Sequence, residues 1–593
     1  MNDRVQGRPG EVSARVVDNL DHQDTSRKNV VLESRNGLGL FARLRRATAD
    51  IYYQHAHHAF HDLRALAPGR IARQSRITIE RWRTERLLAS LNLGRPPLCE
   101  GNVLVDGLFD NPNYWVCITL LREALGLSHA QETGLLGPDS TRATSTTFSR
   151  IGVERALRFA DFLPAEDQVR QEAQALLAGT QDPADILDWK LPFDFPASYL
   201  YDAILKKQRR AVVDLGHGRV LSYVTEALRH LYGADALLRE GEYQLLLLSH
   251  ANNYMSGSLA WRASQLGIPA IVAYNEFAGC QYFRVRPSDE FFGQLDCPRH
   301  EDIDALPNDR AQALASVGRD HVAQRGAGTV QDIGAILAFG EGLRRLDRRA
   351  IYDHFGWDKI KPMVVVYAPN WFDYPHLFGM TEFRDYLDWL KATLAVAMTV
   401  PSVNWAIRGH PCDEWYGGIS LADLMPAQLV PHVRRVPEDW NGSSLMAAAD
   451  GIVTVQGTIG VEASAIGVPV LVATTGWYSE CDFVKAPKGR EAYLEQLRRR
   501  WWDEIDRDVS TFRAQVFAGW YFGFPDWQDS LLLEDSSLNK SALYHNLPRI
   551  IRDNKDTIAR EIAEIADWYE SGERAYRVFK MRRAQGYRRP DVR

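Results

Sequence analysis

The chain has 593 residues, 45% of them apolar and 25% charged, with a formal net charge of −6. That length provides for two or more domains, and the composition is that of an ordinary globular protein. The acid excess removes nucleic acid as an obvious partner. No apolar run reaches the roughly 18–20 residues needed to cross a bilayer, and six scattered cysteines without a C-x-x-C pair argue against a disulfide framework or a cysteine zinc site.

In chain order, residues 1–40 are polar, are expected to be disordered, and lack the apolar centre of a signal peptide. A cytoplasmic location is therefore expected, with a peripheral contact on the inner face of the cell membrane considered below. Residues 41–95 read as a helical extension. It carries the i, i+4 pair His57 and His61, which without a carboxylate at matching spacing reads as a solvated helix face rather than a metal grip.

A first domain is expected over 96–335. Asn102–Asp106 is a short apolar strand, Gly107–Tyr114 a polar turn, and a helix follows through Leu121 and Ala124. Residues 150–240 read as helical. Tyr243–His250 is a strand, Gly257–Leu266 a helix, Gly267-Ile268-Pro269 a stop, and Ala270–Ala273 another strand. Residues 283–330 look loop-rich, and a helix over 331–355 is expected to bridge to the next domain.

That second domain is expected over 356–540. Lys361–Tyr367 is apolar without alternation, the mark of a buried parallel strand. An amphipathic helix at 382–399 and a strand Val403–Ile407 come next. A third strand opens at Gly451 and runs into Gln456-Gly457-Thr458-Ile459-Gly460, a short helix bearing Glu462, the stop Gly467-Val468-Pro469, and Val470-Leu471-Val472. Residues 541–593 are expected to be helices and a tail. Arg574–Arg593 holds eight basic residues against the single acid Asp591. Such a tail can rest on anionic lipid at about 1 kcal/mol per charge near the surface, although a solvated helix end is the plainer reading.

Two strand–turn–helix–Gly-x-Pro–strand units about 200 residues apart predict an α/β protein: two Rossmann-like, doubly wound domains facing a cleft, with helical extensions at both ends. Three strand ends of the second domain then converge. Asn370 follows the first strand, Arg408, His410 and Pro411 the second, and Gln456, Gly457, Thr458 and Gly460 the third. Arg408 and His410 can donate to a phosphate, Thr458 offers a hydroxyl at a helix start, and the two glycines allow close backbone approach. Glu462 suits ribose hydroxyls or complements the helix dipole. The spacing is not G-x-G-x-x-G and no Walker lysine is present, which argues against a dinucleotide cofactor or an ATPase. On the first domain, Asp106, Asp110, His250 and Glu276 stand at strand ends and are the candidates for a base or nucleophile. His250 ends a strand of four leucines and titrates near neutrality; a core histidine satisfied by Asn252 or Asn253 is an equal alternative.

Tyr367-Ala-Pro-Asn370, Arg408-Gly-His-Pro411, the run from Gln456 to Pro469, and Gly476-Trp-Tyr478-Ser479 with Asp482, Phe483, Pro487 and Tyr493 resemble the C-terminal half of GT-B glycosyltransferases of bacterial surface polysaccharides. The likeness is to the capsule polysaccharide biosynthesis and Kdo-transferase-like group, related to the CDP-glycerol glycerophosphotransferases. It covers about 360–495 well and 243–280 loosely. It implies transfer of a sugar from a CMP-sugar or NDP-sugar donor to a surface polysaccharide or lipid-linked glycan acceptor. It further implies that His410 and Thr458 hold the donor phosphate, that Glu462 contacts the sugar, and that no cofactor is needed. No Asp-x-Asp motif stands in a plausible place, so no metal is expected. The alternatives on the same fold are a nucleotide-sugar 2-epimerase, a CDP-glycerol-type phosphotransferase, and a non-catalytic glycan-binding scaffold. Gln-Gly-Thr stands where many relatives have Ser-Ser or Gly-Ser, which leaves the donor nucleotide open.

Overall fold

The computed structural model describes residues 68–91, 94–137, 142–276, 279–287, 297–330, 333–377, 379–413, 417–474, 476–522 and 540–583. The expectations for residues 1–40, for His57 and His61, and for the last ten residues of the basic tail lie outside these.

The first sheet contains β1 (Asn102–Gly107), β2 (Glu132–Leu136), β3 (Arg155–Arg158), β4 (Tyr243–Leu248), β5 (Ala270–Glu276) and β6 (Gly279–Arg284), in the order β3-β2-β1-β4-β5-β6. All pairings are parallel except β5 with β6. The second contains β7 (Met363–Tyr367), β8 (Asn404–Arg408), β9 (Val433–Arg435), β10 (Gly451–Thr454) and β11 (Val470–Val472), in the order β11-β10-β7-β8-β9, all parallel. Both are doubly wound. The order reverses between β1 and β4 in one sheet and between β7 and β10 in the other, and those are the places where such sheets open a crevice at their carboxyl ends.

The unbroken apolar runs have a direct cause. Val103, Val105, Leu245, Leu247, Ile271 and Ala273 join a core on one face of the first sheet, while Leu104, Leu246, Leu248 and Val272 join a core on the other. Period-two geometry sends alternate side chains to opposite faces, and with both faces covered a polar side chain needs its own buried partner. The second core runs on without a break into the second sheet. The first takes in Leu88 of the helix Pro68–Ala89 and Leu547, Ile562 and Phe579 of the last three helices. The chain therefore returns to its first domain at the end, where Ala575 bridges Phe283 of β6.

Helix boundaries follow local chemistry. The Asn111 side chain caps Pro112–Leu125 by accepting from the Asn113 N–H, Pro112 sits at the first turn, and Gly126 closes it at φ 62°. Gly467, at φ 85°, stops the short helix Ile459–Ala465 as its position predicts.

Several elements depart from the sequence reading. The stretch 283–330, expected to be loop-rich, contains the twenty-residue helix Asn308–Ala327. Gly318 and Gly326 lower its intrinsic propensity, but Gly318 is where the helix Arg507–Phe522 packs. A Cβ at Gly318 would stand 2.0 Å from the Gln515 carbonyl oxygen, and one at Gly519 would stand 2.0 Å from that of Leu314. The two helices touch backbone to backbone, and packing outweighs propensity. The bridging helix expected over 331–355 is two shorter ones, Ile333–Phe339 and Arg348–Phe355, split at Gly340 and Gly342. β3 lies within a region read as helical.

Gly519→Ala therefore forces a methyl group into backbone and is expected to cost roughly 3 kcal/mol or more. Gly218→Ala, where a Cβ meets nothing within 4 Å, serves as the neutral control. Urea midpoints of the two variants check this.

Candidate functional site

The first domain meets the segment that follows β7. The helix Ala197–Gln208 of the first domain makes several side-chain contacts with the region after β7. Asp202 and His376 are both buried and meet at 2.7 Å through Oδ1 and Nδ1, while the His376 and Leu377 N–H groups donate to the other carboxylate oxygen at 2.9 and 3.3 Å. The Tyr201 hydroxyl donates to Asp385 at 2.7 Å, and Lys206 pairs with Asp373 at 2.6 Å. Beside them Asn253, after β4, lies close to the Tyr374 hydroxyl. Burial pulls the His376 pKa down, but the Asp202 carboxylate overrides this and leaves it raised.

On the second sheet, the groups at the switch point are Asn370 after β7 and Gln456 after β10. Both side chains are buried. Asn370 Oδ1 accepts from the Phe372 N–H at 3.4 Å and Gln456 Nε2 donates to the Tyr386 hydroxyl at 2.7 Å. The other edge of each amide, Asn370 Nδ2 and Gln456 Oε1, has no hydrogen-bond partner. A buried amide edge left unsatisfied costs about 1–3 kcal/mol. One donor and one acceptor therefore lie at adjacent strand ends with no complement among the described residues.

The turn that carries Gln456 is clamped from behind. Trp477 Nε1 donates to the Gln456 carbonyl and the Tyr478 hydroxyl to that of Gly457, each at 2.8 Å. Gly460, expected to admit a ligand, instead admits Tyr478, whose hydroxyl oxygen lies 2.2 Å from the place of a Cβ. A Cβ at Gly457 would make only ordinary contacts, with Ile459 and Thr454 at 3.5 Å, so the half-buried backbone there is not packed against a neighbouring ring. The Thr458 hydroxyl makes no cap hydrogen bond, and the helix it opens has seven residues, too short for much of a dipole.

The charged residues of this side are placed differently from their expected roles. Arg408 is buried and donates to the carbonyls of Pro437, at 2.5 Å, and Glu438, at 3.3 Å. Burial pulls its pKa down. Its guanidinium pins the segment after β9 and does not face the switch point through these bonds. Glu462, expected at ribose or at the sugar, forms a buried ion pair with Arg325 at 2.9 Å. His410 Nδ1 accepts from the Cys412 N–H at 3.2 Å, which puts the proton of the neutral ring on Nε2. Pro411 follows it and is half-buried. β8 and β10 flank β7, so the backbones leading to His410 and Thr458 stand roughly 10 Å apart, two strand spacings. A nucleotide can span that distance; a single phosphate cannot.

Sequence reasoning missed Asp413. Burial is the largest cause pushing its carboxyl up to about 7. Its position three residues beyond His410 in His-Pro-Cys-Asp was the available signal.

On the first sheet, Asp106 is fully buried and accepts from the Ser249 N–H at 3.0 Å, the Ser249 hydroxyl at 2.7 Å and the Leu108 N–H at 2.5 Å. It ties the end of β1 to the end of β4 instead of facing a ligand. Asp110 is held by both terminal nitrogens of Arg81, at 2.9 and 3.0 Å, and by Trp115 Nε1 at 2.8 Å. Glu276 ends β5. His250 is half-buried at the end of β4, with the Phe109 ring edge-on at 4.7 Å. Neither alternative partner satisfies it: Asn253 Oδ1 accepts from Met255 and Ser256, and Asn252 Oδ1 has no partner. Burial pushes its pKa down to about 4, so the ring is neutral at pH 7 and a weak base.

Among the described residues, no group of three or more His, Cys, Asp or Glu side chains is placed to hold a metal ion. No described helix is long and apolar enough to cross a membrane.

No protein-family profile and no curated protein matches the chain. Solved structures that resemble it include the beta Kdo 2,4 transferase KpsC of Thermosulfurimonas dismutans, at 13% identity over 46% of this chain and 78% of that one, TM-score 0.27. They also include UDP-GlcNAc 2-epimerase from Neisseria meningitidis, at 12% over 72% and 96%, TM-score 0.22, and the glycosyltransferase SnogD from Streptomyces nogalater, at 14% over 75% and 98%, TM-score 0.23. Overlaps this small carry no argument about chemistry. The fold is read from the strand orders: an α/β protein with two Rossmann-like, doubly wound sheets, as a GT-B fold has.

His250 has a thermodynamic consequence. Its ordinary pKa is 6.5 and its folded value about 4, so between those values the unfolded chain holds more protons. Folding stability then falls as pH drops from 6.5 toward 4, by at most about 3 kcal/mol. His250→Gln removes that component. The difference in urea midpoint between the native protein and the variant is expected to change between pH 7 and pH 4.5, with the variant losing less stability.

Proposed function

We propose that the protein is a glycosyltransferase that uses a nucleotide-activated sugar, bound against the second sheet, and an acceptor hydroxyl presented from the first. The observation that carries this reading is the pair of unsatisfied buried amide edges, Asn370 Nδ2 and Gln456 Oε1, at the β7–β10 switch point. A donor and an acceptor there complement a ligand that offers both, as a nucleoside does, and they become reachable when the cleft opens. Thr458 and the half-buried Gly457 stand on the same turn for the phosphate, with His410 beyond β7.

At the strand ends of the first sheet the His250 ring makes no hydrogen bond among the described residues. It is neutral at pH 7 and can accept the acceptor's proton, although a conjugate-acid pKa near 4 limits its strength. Asp106 and Asp110 are committed to structural bonds. Asp413, uncharged below about pH 7, is the candidate proton donor to the departing phosphate. Closing the cleft around both substrates excludes the water that would hydrolyse the donor.

The test is calorimetry with CMP, CDP, UDP and GDP, followed by transfer assays with the nucleotide that binds. One nucleotide is expected to bind, and Gln456→Leu to weaken it about tenfold, the effect of a lost buried hydrogen bond. Binding by no nucleotide favours a non-catalytic scaffold. Donor isomerisation in the absence of acceptor favours the epimerase.

Asp413 adds a pH dependence. It is neutral below about 7 and anionic above, so the negative form repels phosphate, and nucleotide affinity is expected to fall as pH rises from 6 to 8. Asp413→Asn is expected to flatten that fall, measured by the same titrations at three pH values.

A further inference from the structure

The first sheet has an orphaned amide of its own. Asn113 stands in the first turn of the helix Pro112–Leu125, which leaves the end of β1 beside the β1–β4 reversal, and its side chain is fully buried. Both of its polar atoms, Nδ2 and Oδ1, lack a hydrogen-bond partner among the described residues. The helix sets its direction. Side chains lean toward a helix N-terminus, which here lies at the crevice outside the strand carboxyl ends. Cys117, one turn on along the same face, has its Sγ 3.5 Å from that of Cys280 in β6, so this face is turned to the sheet. Cys280 pairs with Asn275 near the end of β5, and Asn113 lies one turn, about 5.4 Å, further out toward the crevice.

Two more features stand at these strand ends. Asn252, in the loop after β4, has a buried Oδ1 without a partner. Phe109, in the loop after β1, is 41% exposed, with its ring 4.7 Å from His250 and 6.5 Å from Tyr114. An exposed aromatic ring beside a few unsatisfied polar atoms is the composition of a small-ligand site.

What is already engaged decides the ligand's charge. Pro112 has no N–H, and those of Asn113 and Trp115 go to Asn111, at 2.9 and 3.1 Å, so this helix start has little left for an anion. Arg81, the cation closest in the fold, is held by Asp110 and Glu85. A neutral edge remains, an N–H beside a C=O. Adjacent hydroxyl groups of a sugar answer both, one accepting and the other donating. The C–H face of a pyranose also packs on an aromatic ring such as that of Phe109.

We propose that the β1–β4 crevice takes a neutral pyranose with vicinal hydroxyl groups, read by Asn113 and Asn252 beside the Phe109 ring. The role of this sugar rests on the transferase reading: it is the terminal residue of the acceptor, and Asn113 sets specificity and is not the base.

Saturation-transfer NMR on the full chain tests this. The probes are methyl pyranosides of the gluco, galacto and manno series, their monodeoxy forms, and glycerol 1-phosphate as the anionic comparison. At least one neutral pyranoside is expected to bind at millimolar concentration, and loss of either of two adjacent hydroxyls to weaken it about tenfold, the effect of a lost buried hydrogen bond. Asn113→Leu is expected to weaken the parent sugar similarly, to bind the deoxy form as well as the parent, and to leave nucleotide affinity unchanged. Should that variant melt early, Phe109→Ala, at an exposed ring, replaces it and is expected to weaken the sugar severalfold. No pyranoside binding by the native chain, native affinity in the variant, or tighter binding of glycerol 1-phosphate than of any pyranoside overturns the proposal. Pyranoside binding by a chain that binds no nucleotide upholds the crevice as a sugar site and removes the transferase reading.

Discussion

The contact between Asp202 and His376 fixes the geometry on which the cleft depends. Taking a carboxylate and an imidazole out of water costs several kcal/mol each, and only close pairing with further hydrogen bonds recovers it. Here the carboxylate accepts both from the ring and from two backbone N–H groups of the opposing loop. The first domain thereby grips main chain in the second, and backbone leaves less freedom than a side chain would. Tyr201–Asp385 and Lys206–Asp373 flank this grip on the same helix. The loop that follows β7 is held at the first sheet as a result, and Asn370 at its base is aimed before any ligand arrives.

A second set of contacts holds the β10 turn. The helix Ile459–Ala465 is too short to be stable by itself. It is anchored by the buried Glu462–Arg325 pair on the helix Asn308–Ala327, which in turn packs backbone to backbone on Arg507–Phe522 through Gly318 and Gly519. Trp477 and Tyr478 take the turn's carbonyls from the other side. Polar groups in such a turn are pre-positioned, so binding needs little reorganisation, which is how a site gains affinity without added contacts.

The strands that build the switch points were legible because both sheet faces are covered, which forces the unbroken apolar runs of β4, β7, β8 and β10. β3 and β9 were not: they are short, and β3 carries two arginines in four residues. The helix Asn308–Ala327 was hidden by glycines whose purpose is tertiary. Site roles were legible as positions and not as orientations. Arg408 ends β8 and Glu462 lies in the helix after β10, at the positions the sequence assigns them. A sequence, however, cannot tell that the first turns to backbone carbonyls and the second to an arginine 137 residues away. The Asp202–His376 pair, 174 residues apart, leaves no local signal at all.

The central claim is that a nucleotide occupies the β7–β10 switch point. Hydrogen–deuterium exchange of the full chain, with and without the nucleotide of highest affinity, tests it most directly. Slower exchange in 368–377 and 456–462, with little change around β3 and β6, is the predicted result. Protection confined to other segments, or none with any nucleotide at millimolar concentration, would contradict it.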